Sequence, residues 1–363
     1  MSQEILQRLL PILENFDLRG VATEAEPWGS GHINTTYRIT VDQSGRDVHY
    51  ILQGINQHVF PNVPKLMENI QRITRHLAQR NPGNARATLT LVNDRQGNPF
   101  WKNPADGECY RVYLFIEGAS TVDAVTGPDQ AYQAAKAFGA FQCALADLPG
   151  DPLFESIVDF HHTPKRFQKF LAVLKEDKMG RASLCQKEIA FALAHEKECS
   201  LVVDRLADGR LPWRVTHNDT KINNVMLDDK TGEGICVIDL DTCMPGSVLY
   251  DFGDEIRTTT ATAAEDERDL SKVNFDLNLF GALVQGYLST AGAFLTPEEK
   301  RLLPFSGRLL TFECGLRFLT DFLEGDVYFR THREGQNLDR CRTQFHLVAQ
   351  MEAQEEQMNQ FVK

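Results

Sequence analysis

The chain has 363 residues, 42% of them hydrophobic and 24% charged, and carries a formal net charge of −12. That length exceeds the usual single core, so two lobes are expected, and the composition leaves little room for long disorder. The acidic balance works against non-specific binding to nucleic acid or to an anionic membrane, because a phosphate surface needs a basic face.

Along the chain, residues 5–16 place Ile5, Leu6, Leu9, Leu10, Ile12 and Leu13 at helical spacing, which predicts an amphipathic helix. The same segment has Glu4 in its first turn and no basic stretch before an apolar run, so no signal peptide is expected. No run approaches the roughly 18 apolar residues of a membrane span. The eight cysteines are scattered without CxxC spacing, the pattern of reduced thiols in a soluble, cytoplasmic protein.

The period then shortens. Segments 21–28, 34–40 and 48–53 read as strands, with VDQSGRD (41–47) as a hairpin turn. Residues 63–80 read as a helix, and 87–92 and 110–116 as further strands. After FIEGAST (115–121) the chain becomes mainly helical, at 129–147, 163–175, 184–208, 275–290, 297–324 and 338–361. This shift predicts an N-terminal unit 1–118 and a C-terminal unit 119–363. Thr296-Pro297-Glu298-Glu299 matches a capping box with proline at the first helical position. Only 213–240 interrupts the helices, as a small sheet carrying polar loops.

Those loops hold the chemistry. VTHNDTKINNVMLD (215–228) contains His217, Asp219 and Asn224, and fifteen residues beyond Asn224 the apolar strand ICVID ends in Asp239. A loop, strand, turn and return strand would aim three oxygen-bearing side chains at one point. Phosphoryl transfer needs that arrangement, because its loose transition state demands positioning and charge neutralisation. Asn224 and Asp239 offer hard oxygens to Mg²⁺, Asp219 would take the acceptor's proton, and Lys221 could reach the transferring phosphate. His217 is expected to shape the loop rather than move protons. Upstream, Gly29-Ser30-Gly31 between two strands could let backbone N–H groups approach a phosphate, with His32 and Asn34 facing the cleft. An ordinary β-turn is the simpler reading of that GxG until the downstream motif is counted.

GSGHINTTY (29–37), YILQGIN (50–56), RVYLFIEG (111–118), VTHNDTKINN (215–224), IDLDTCMPGS (238–247) and YDFGDEIR (250–257) together resemble the aminoglycoside phosphotransferase family of kinase-like enzymes, over nearly the whole chain. The resemblance implies an α+β, bilobal protein-kinase-like fold, with a small β-rich N-terminal lobe that binds nucleotide and a larger, mainly helical C-terminal lobe. It implies ATP and Mg²⁺ as cofactors, Asp219 as catalytic base, and Asn224 and Asp239 as metal ligands. Nucleotide contacts would come from Gly29, Ser30, Gly31, Asn34, Gln53 and Glu117. The stretches after 240, with LLPFSGRLL and ECGLRFL before DFLEGDVYF (302–329), resemble the subgroup that phosphorylates the anomeric hydroxyl of N-acetylated hexosamines. That implies a small-molecule sugar pocket from His32, Asp219, Arg317 and Tyr328. Arg317 has an equally weighted reading as the helical partner of Glu313 or Asp321, and Tyr328 as a packed aromatic.

Two departures stand out. Gln53 occupies the strand position where many kinases carry a phosphate-binding lysine, so the usual Lys–Glu pair is in doubt. Asp251-Phe252-Gly253 spells the kinase metal triplet but lies too far downstream, so Asp251 is read, with His217 and Asp241, as support for the loop. Rival readings are a kinase of another small alcohol, a metallohydrolase using His217, Asp219, Asp239 and Asp241 with help from His161-His162, a sulfatase, and a pseudokinase. A Cys-x-Pro-x-Arg sulfatase site is approached by Cys243-Met244-Pro245-Gly246-Ser247, which has serine where arginine belongs. An intact Asp219, Asn224 and Asp239 argues against the pseudokinase.

Overall fold

In the computed structural model, which describes residues 2–363 apart from Ser30 and His32, the first apolar stripe forms helix α1 (Ser2–Leu13). Its Leu6, Leu9, Ile12 and Leu13 are buried on one face of an antiparallel sheet, against Ile39, Val41, Leu52 and Val112. Each such side chain contributes roughly 1.5–3 kcal/mol on burial. The sheet comprises β1 (Val21–Pro27), β2 (Thr35–Asp42), β3 (Asp47–Ile55), β4 (Leu91–Val92), β5 (Trp101–Lys102) and β6 (Cys109–Leu114). Its order is β1-β2-β3-β6-β4, with β5 also on β6. Ser44 and Gly45, both at positive φ, turn β2 into β3, and the Gly45 N–H caps Asp42. The opposite sheet face is covered by α2 (Val63–Arg80), started by the Asn62 side chain. Leu66, Met67, Ile70 and Ile73 of α2 join Phe138, Val225 and Val237 in one cluster, so the core beneath the sheet continues into the C-terminal half.

Strand β7 (Ala119–Ser120) pairs with β9 (Val225–Asp228), which pairs with β10 (Gly234–Val237). A two-stranded ribbon, β8 (Arg214–Thr216) with β11 (Met244–Gly246), brackets the same loops. Around them pack α3 (Pro128–Leu145), α4 (Thr163–Glu176), α5 (Gln186–Ala194), α6 (Leu201–Ala207), α7 (Val248–Thr259), α8 (Leu277–Ala291), α9 (Pro297–Glu324), α10 (Gln336–Ala353) and α11 (Glu355–Phe361). The capping box at Thr296 is present in both directions. Its Glu299 also receives Arg214 of β8, which ties the start of α9 to the strand entering the polar loops. Among the described residues, no helix is long and apolar enough to cross a membrane.

Three expectations are corrected. The stretch 184–208 is not one helix but α5 and α6, broken where His195 turns back onto the Phe191 carbonyl and stacks on Phe191 and Phe312. The stretch 338–361 divides at Gln354. Helix α7 was not expected: Val248, Leu249, Phe252 and Ile256 recur at helical spacing, but Asp251, read as support for the loop, and Asp254 and Glu255 between them are buried on the same helix. Where α7 crosses α9, a Cβ on Gly253 would overlap the carbonyl of Ser306. Gly253→Ala is therefore expected to destabilise by about 1–3 kcal/mol, read as a lower thermal midpoint with unchanged far-UV signal.

Candidate active site

The segment between β8 and β9 is shaped from below by α7. Asp251 accepts hydrogen bonds from the backbone N–H groups of His217 (2.8 Å) and Asn218 (2.7 Å), and from Gln142. The Thr220 N–H reaches Asp254, and the Thr220 hydroxyl reaches the Asp251 carbonyl. Burial pushes the Asp251 carboxyl up, and these donors work to hold it down. His217 takes the Asp219 N–H on Nδ1 and donates from Nε2 to the Ile238 carbonyl at 2.8 Å, which fixes its tautomer and commits both nitrogens to the loop. Asn218 sits at φ 64°, a left-handed turn that asparagine tolerates.

Asp219 therefore projects from a clamped loop, its side chain 25% exposed. Lys221 Nζ is 2.8 Å from one carboxylate oxygen, and Asn224 donates to the other at 3.2 Å. Burial works to raise Asp219, but the charge and hydrogen bond of Lys221, with His217 and Arg257 further off, hold it below the usual carboxylate range. Burial opposes the Lys221 charge in turn, and Asp219 more than restores it. The Ile238 N–H bonds the Asn224 carbonyl at 2.9 Å, so Asn224 lies beside the end of β10, where Asp239 stands at φ 58°. Asp239 is reached by solvent along the cleft yet ringed by protein. This enclosure, with the like charges of Asp241 and Asp219, lifts its carboxyl to about 6.

Asp241 faces the other way, into protein. Its carboxylate is gripped by the Arg111 guanidinium, whose Nη2 is 2.9 Å from one oxygen, and it accepts from Asn34 at 2.6 Å. Arg111 stands on β6 directly opposite Gln53 of β3, and its Nε and Nη2 bond the Gln53 oxygen at 3.0 and 2.8 Å. The Asn34 oxygen in turn accepts from the Asn56 N–H. Gln53 and Asn34 are thus tied to protein partners in this arrangement, and Asp241 is occupied by an ion pair and so unsuited to the metallohydrolase ligand set. His161 and His162 do not supply that set either: His161 bridges Glu313 and the Asn218 carbonyl, and His162 caps α4.

Gly29 and Gly31 face open space, Gly29 at φ 78°; Ser30 and His32 lie outside the described residues. Trp28 meets Phe115 edge-on at 5.6 Å, and Glu117 bonds His49 at 2.6 Å from a largely exposed position. Arg317 is paired with neither Glu313 nor Asp321. Glu313 is held by His161, Thr163 and Arg166, and Asp321 caps the N–H groups of Val327, Tyr328 and Phe329. Arg317 instead lies over the rings of Tyr328 (5.9 Å) and Phe329 (5.3 Å), and Tyr328 itself is 70% exposed. A cavity of about 450 Å³ lies apart from Asp219, between α1 and β2–β3, lined by Arg8, Tyr37, Asn56 and Tyr110.

Sequence reasoning missed Arg111, Asp254 and the His161–Glu313 bridge. Arg111 left one signal, a charge inside the apolar strand CYRVYL; the His161–Glu313 bridge and the Thr220 contact of Asp254 left none, since those partners are far away in sequence. It also missed Glu255, whose two carboxylate oxygens are buried without hydrogen-bond partners. Burial first, then Asp251 and Asp254, pushes Glu255 well above the usual range. A folded-state carboxyl raised in this way contributes stability at low pH that is lost as pH rises toward its folded value. Glu255→Met is therefore expected to stabilise by about 1–2 kcal/mol at pH 8 and by less at pH 5, in denaturant titrations at the two pH values.

A β-sheet half set against a helical half, with an acid, an amide and a second acid gathered at their junction, is a kinase-like fold. The chain belongs to the phosphotransferase enzyme family (APH), whose model matches residues 24–287. Solved structures share the fold at low identity. An aminopropanol kinase associated with a microcompartment is 18% identical, with 99% of each chain covered and a TM-score of 0.60. An aminoglycoside phosphotransferase from Alicyclobacillus acidocaldarius is 14% identical, covering 96% of this chain and 95% of that one at 0.61. A spectinomycin phosphotransferase in complex with ADP and spectinomycin is 12% identical, covering 97% and 98% at 0.59.

Proposed function

We propose that this phosphotransferase is an N-acetylhexosamine 1-kinase, which uses ATP and Mg²⁺ to phosphorylate the anomeric hydroxyl of N-acetylglucosamine or N-acetylgalactosamine. The observation that carries the kinase reading is the solvent-reachable Asp219 carboxylate, held between Lys221 and Asn224 next to Asp239. In this reading residues 1–118 form the nucleotide lobe and 119–363 the catalytic and sugar-binding lobe. Asp219, ionised at neutral pH, accepts the hydrogen bond of the anomeric hydroxyl and takes its proton as the new O–P bond forms and the bond from the γ-phosphorus to the bridging oxygen of ATP breaks, with ADP as the leaving group. Lys221 shares an Asp219 oxygen and presents its charge to the transferring phosphoryl group.

The donor set fits Mg²⁺. Among the described residues, neither the Asn224 side-chain oxygen nor the Asp239 carboxylate makes a hydrogen bond, and a divalent cation would relieve the crowding of Asp239 by Asp241 and Asp219. Two oxygen ligands suffice where nucleotide phosphates and water complete the shell. When bound, the ion would neutralise charge on the phosphates.

The acceptor reading rests on Arg317. It lies one helical turn beyond Glu313 on the same face of α9, and Glu313 reaches the Asn218 carbonyl through His161, which supports reading Arg317 as part of the wall beyond the catalytic loop. It makes no ion pair among the described residues, and its charge adds to burial in holding the neighbouring Arg166 below the usual arginine value. Arg166 is offset by Glu313, so the uncompensated Arg317 guanidinium is the group that repels a cationic acceptor such as choline or an aminoglycoside. A neutral sugar can use Arg317 as a donor and stack on Tyr328. The test is ADP release with ATP and Mg²⁺ over N-acetylglucosamine, N-acetylgalactosamine, glucosamine, choline and an aminoglycoside, with ³¹P NMR locating the phosphate. Turnover confined to the N-acetylated sugars and a 1-phosphate product support the reading. Turnover on another alcohol alone removes the sugar pocket and leaves the kinase.

A further inference from the structure

We propose that Arg111 is a positioning residue for phosphoryl transfer, acting through Asp241 on both the metal-binding end of β10 and the root of the glycine-containing loop. This rests on the kinase reading above. The chain has glutamine at the strand position where a lysine would be expected, and the structure puts a different cation in the space below it. Arg111 projects from the neighbouring strand with its side chain 1% exposed, and Nε, Nη1 and Nη2 are all engaged by Gln53 and Asp241. It has no free edge for a phosphate, so its part is to hold other groups.

Gln53 is in turn steadied by Thr36 of β2. Asp241 lies two residues beyond Asp239, in the short turn Leu240–Thr242 that Asp239 opens. Its Oδ2, which takes Arg111 Nη2, also accepts from the Asn34 amide, three residues past Gly31, and Asn34 is fixed to the Asn56 backbone. One buried carboxylate thus receives a guanidinium from the sheet and an amide from the loop, and any shift of Asp241 moves Asp239 with it. The pair joins positions 130 residues apart, across the two halves of the chain. A bidentate guanidinium–carboxylate pair constrains orientation as well as distance, which a lysine could not do.

The test compares Arg111→Met, Arg111→Lys, Asp241→Leu and the double variant Arg111→Met/Asp241→Leu in the full-length chain. Each single Met or Leu change strands a buried charge and lowers the thermal midpoint. The double change removes both charges, and its midpoint returns toward that of the wild type. If Arg111 serves only the fold, turnover returns with the midpoint. If it positions the site, the refolded double variant remains about 30-fold or more down in kcat and needs more Mg²⁺, since misplacement near 1 Å can cost about 10²-fold. Its KM for the acceptor stays close to wild type, and Arg111→Lys recovers stability more fully than kcat.

Titration calorimetry with ADP and Mg²⁺ is run on wild type and double variant together. ADP binding by wild type with weaker, less Mg²⁺-dependent binding by the double variant is the expected result. Equal binding and turnover within about 3-fold in the stable double variant overturn the positioning role and leave the kinase reading intact. No ADP binding by wild type overturns both.

Discussion

Asp219→Asn is expected to lower kcat by about 10³-fold while nucleotide affinity changes by less than about 3-fold. Among the described residues of the cleft, this carboxylate combines a fixed backbone, exposure and a depressed pKa. His217 and Asn218 are clamped by Asp251, and Lys221 and Asn224 hold the two carboxylate oxygens. An amide of the same shape cannot take a proton, and it lacks the charge that holds Lys221. The fold should barely notice. Because the folded-state pKa is lowered, the stability Asp219 contributes is present above the unfolded value and disappears as pH falls through the folded one. Its ion pair reaches solvent, so the loss at pH 7 is expected to be about 1 kcal/mol or less. Pre-steady-state product formation with N-acetylglucosamine separates the outcomes. A variant that keeps more than a tenth of the wild-type chemical rate would remove Asp219 from the role of base.

Asp239→Asn is expected to do the reverse to stability. The side chain stands in a left-handed conformation that asparagine also adopts, among the like charges of Asp241 and Asp219, with its carboxyl lifted to about 6. The stability available while that carboxyl is protonated is lost as pH rises through about 6, so the neutral amide gains most above it. Because Asp239 is open to solvent along the cleft, the gain is small, about 1–2 °C in Tm at pH 8 without Mg²⁺. Activity moves the other way: kcat/KM is expected to fall by about 10²-fold or more, with a higher Mg²⁺ requirement and loss of the Tm increase that Mg²⁺ and ADP confer on wild type. A site that is destabilising until filled is a common cost of function. If Asp239→Asn melts earlier than wild type at pH 8 and keeps its Mg²⁺ response, the metal assignment is wrong.

Elements were legible where one face of a segment is dry and the other wet. The helices 63–80 and 297–324 were read to the residue, the first from its periodicity and the second because cap and periodicity agree: Thr296 closes a box with Glu299. The strands β2 and β3 were legible from alternation and from the Ser44-Gly45 turn. Helix α7 was not, because its apolar positions at helical spacing alternate with Asp251, Asp254 and Glu255, which lie buried with them rather than on a wet face. The segment 87–92 was read too long, as only Leu91–Val92 pair with β6. Pairing is set by the partner strand rather than by local propensity.

By itself, then, the sequence determined the strongly periodic elements such as α1, α2, α9 and the β2–β3 hairpin, and it set Asp219, Asn224 and Asp239 on one loop and the hairpin that follows, because these depend on residues within about one turn or one hairpin of their neighbours. The kinase-like fold class was legible from the motifs that carry the family resemblance. Only the tertiary structure decided who satisfies whom. It placed Arg111 on Asp241, gave Glu313 to His161 and so left Arg317 on its aromatic neighbours. These pairings join groups that are remote in sequence, and their partners are chosen by burial. A charge or polar group taken out of water must find whichever counterpart the packed chain brings within reach, and nothing in the local pattern names that counterpart.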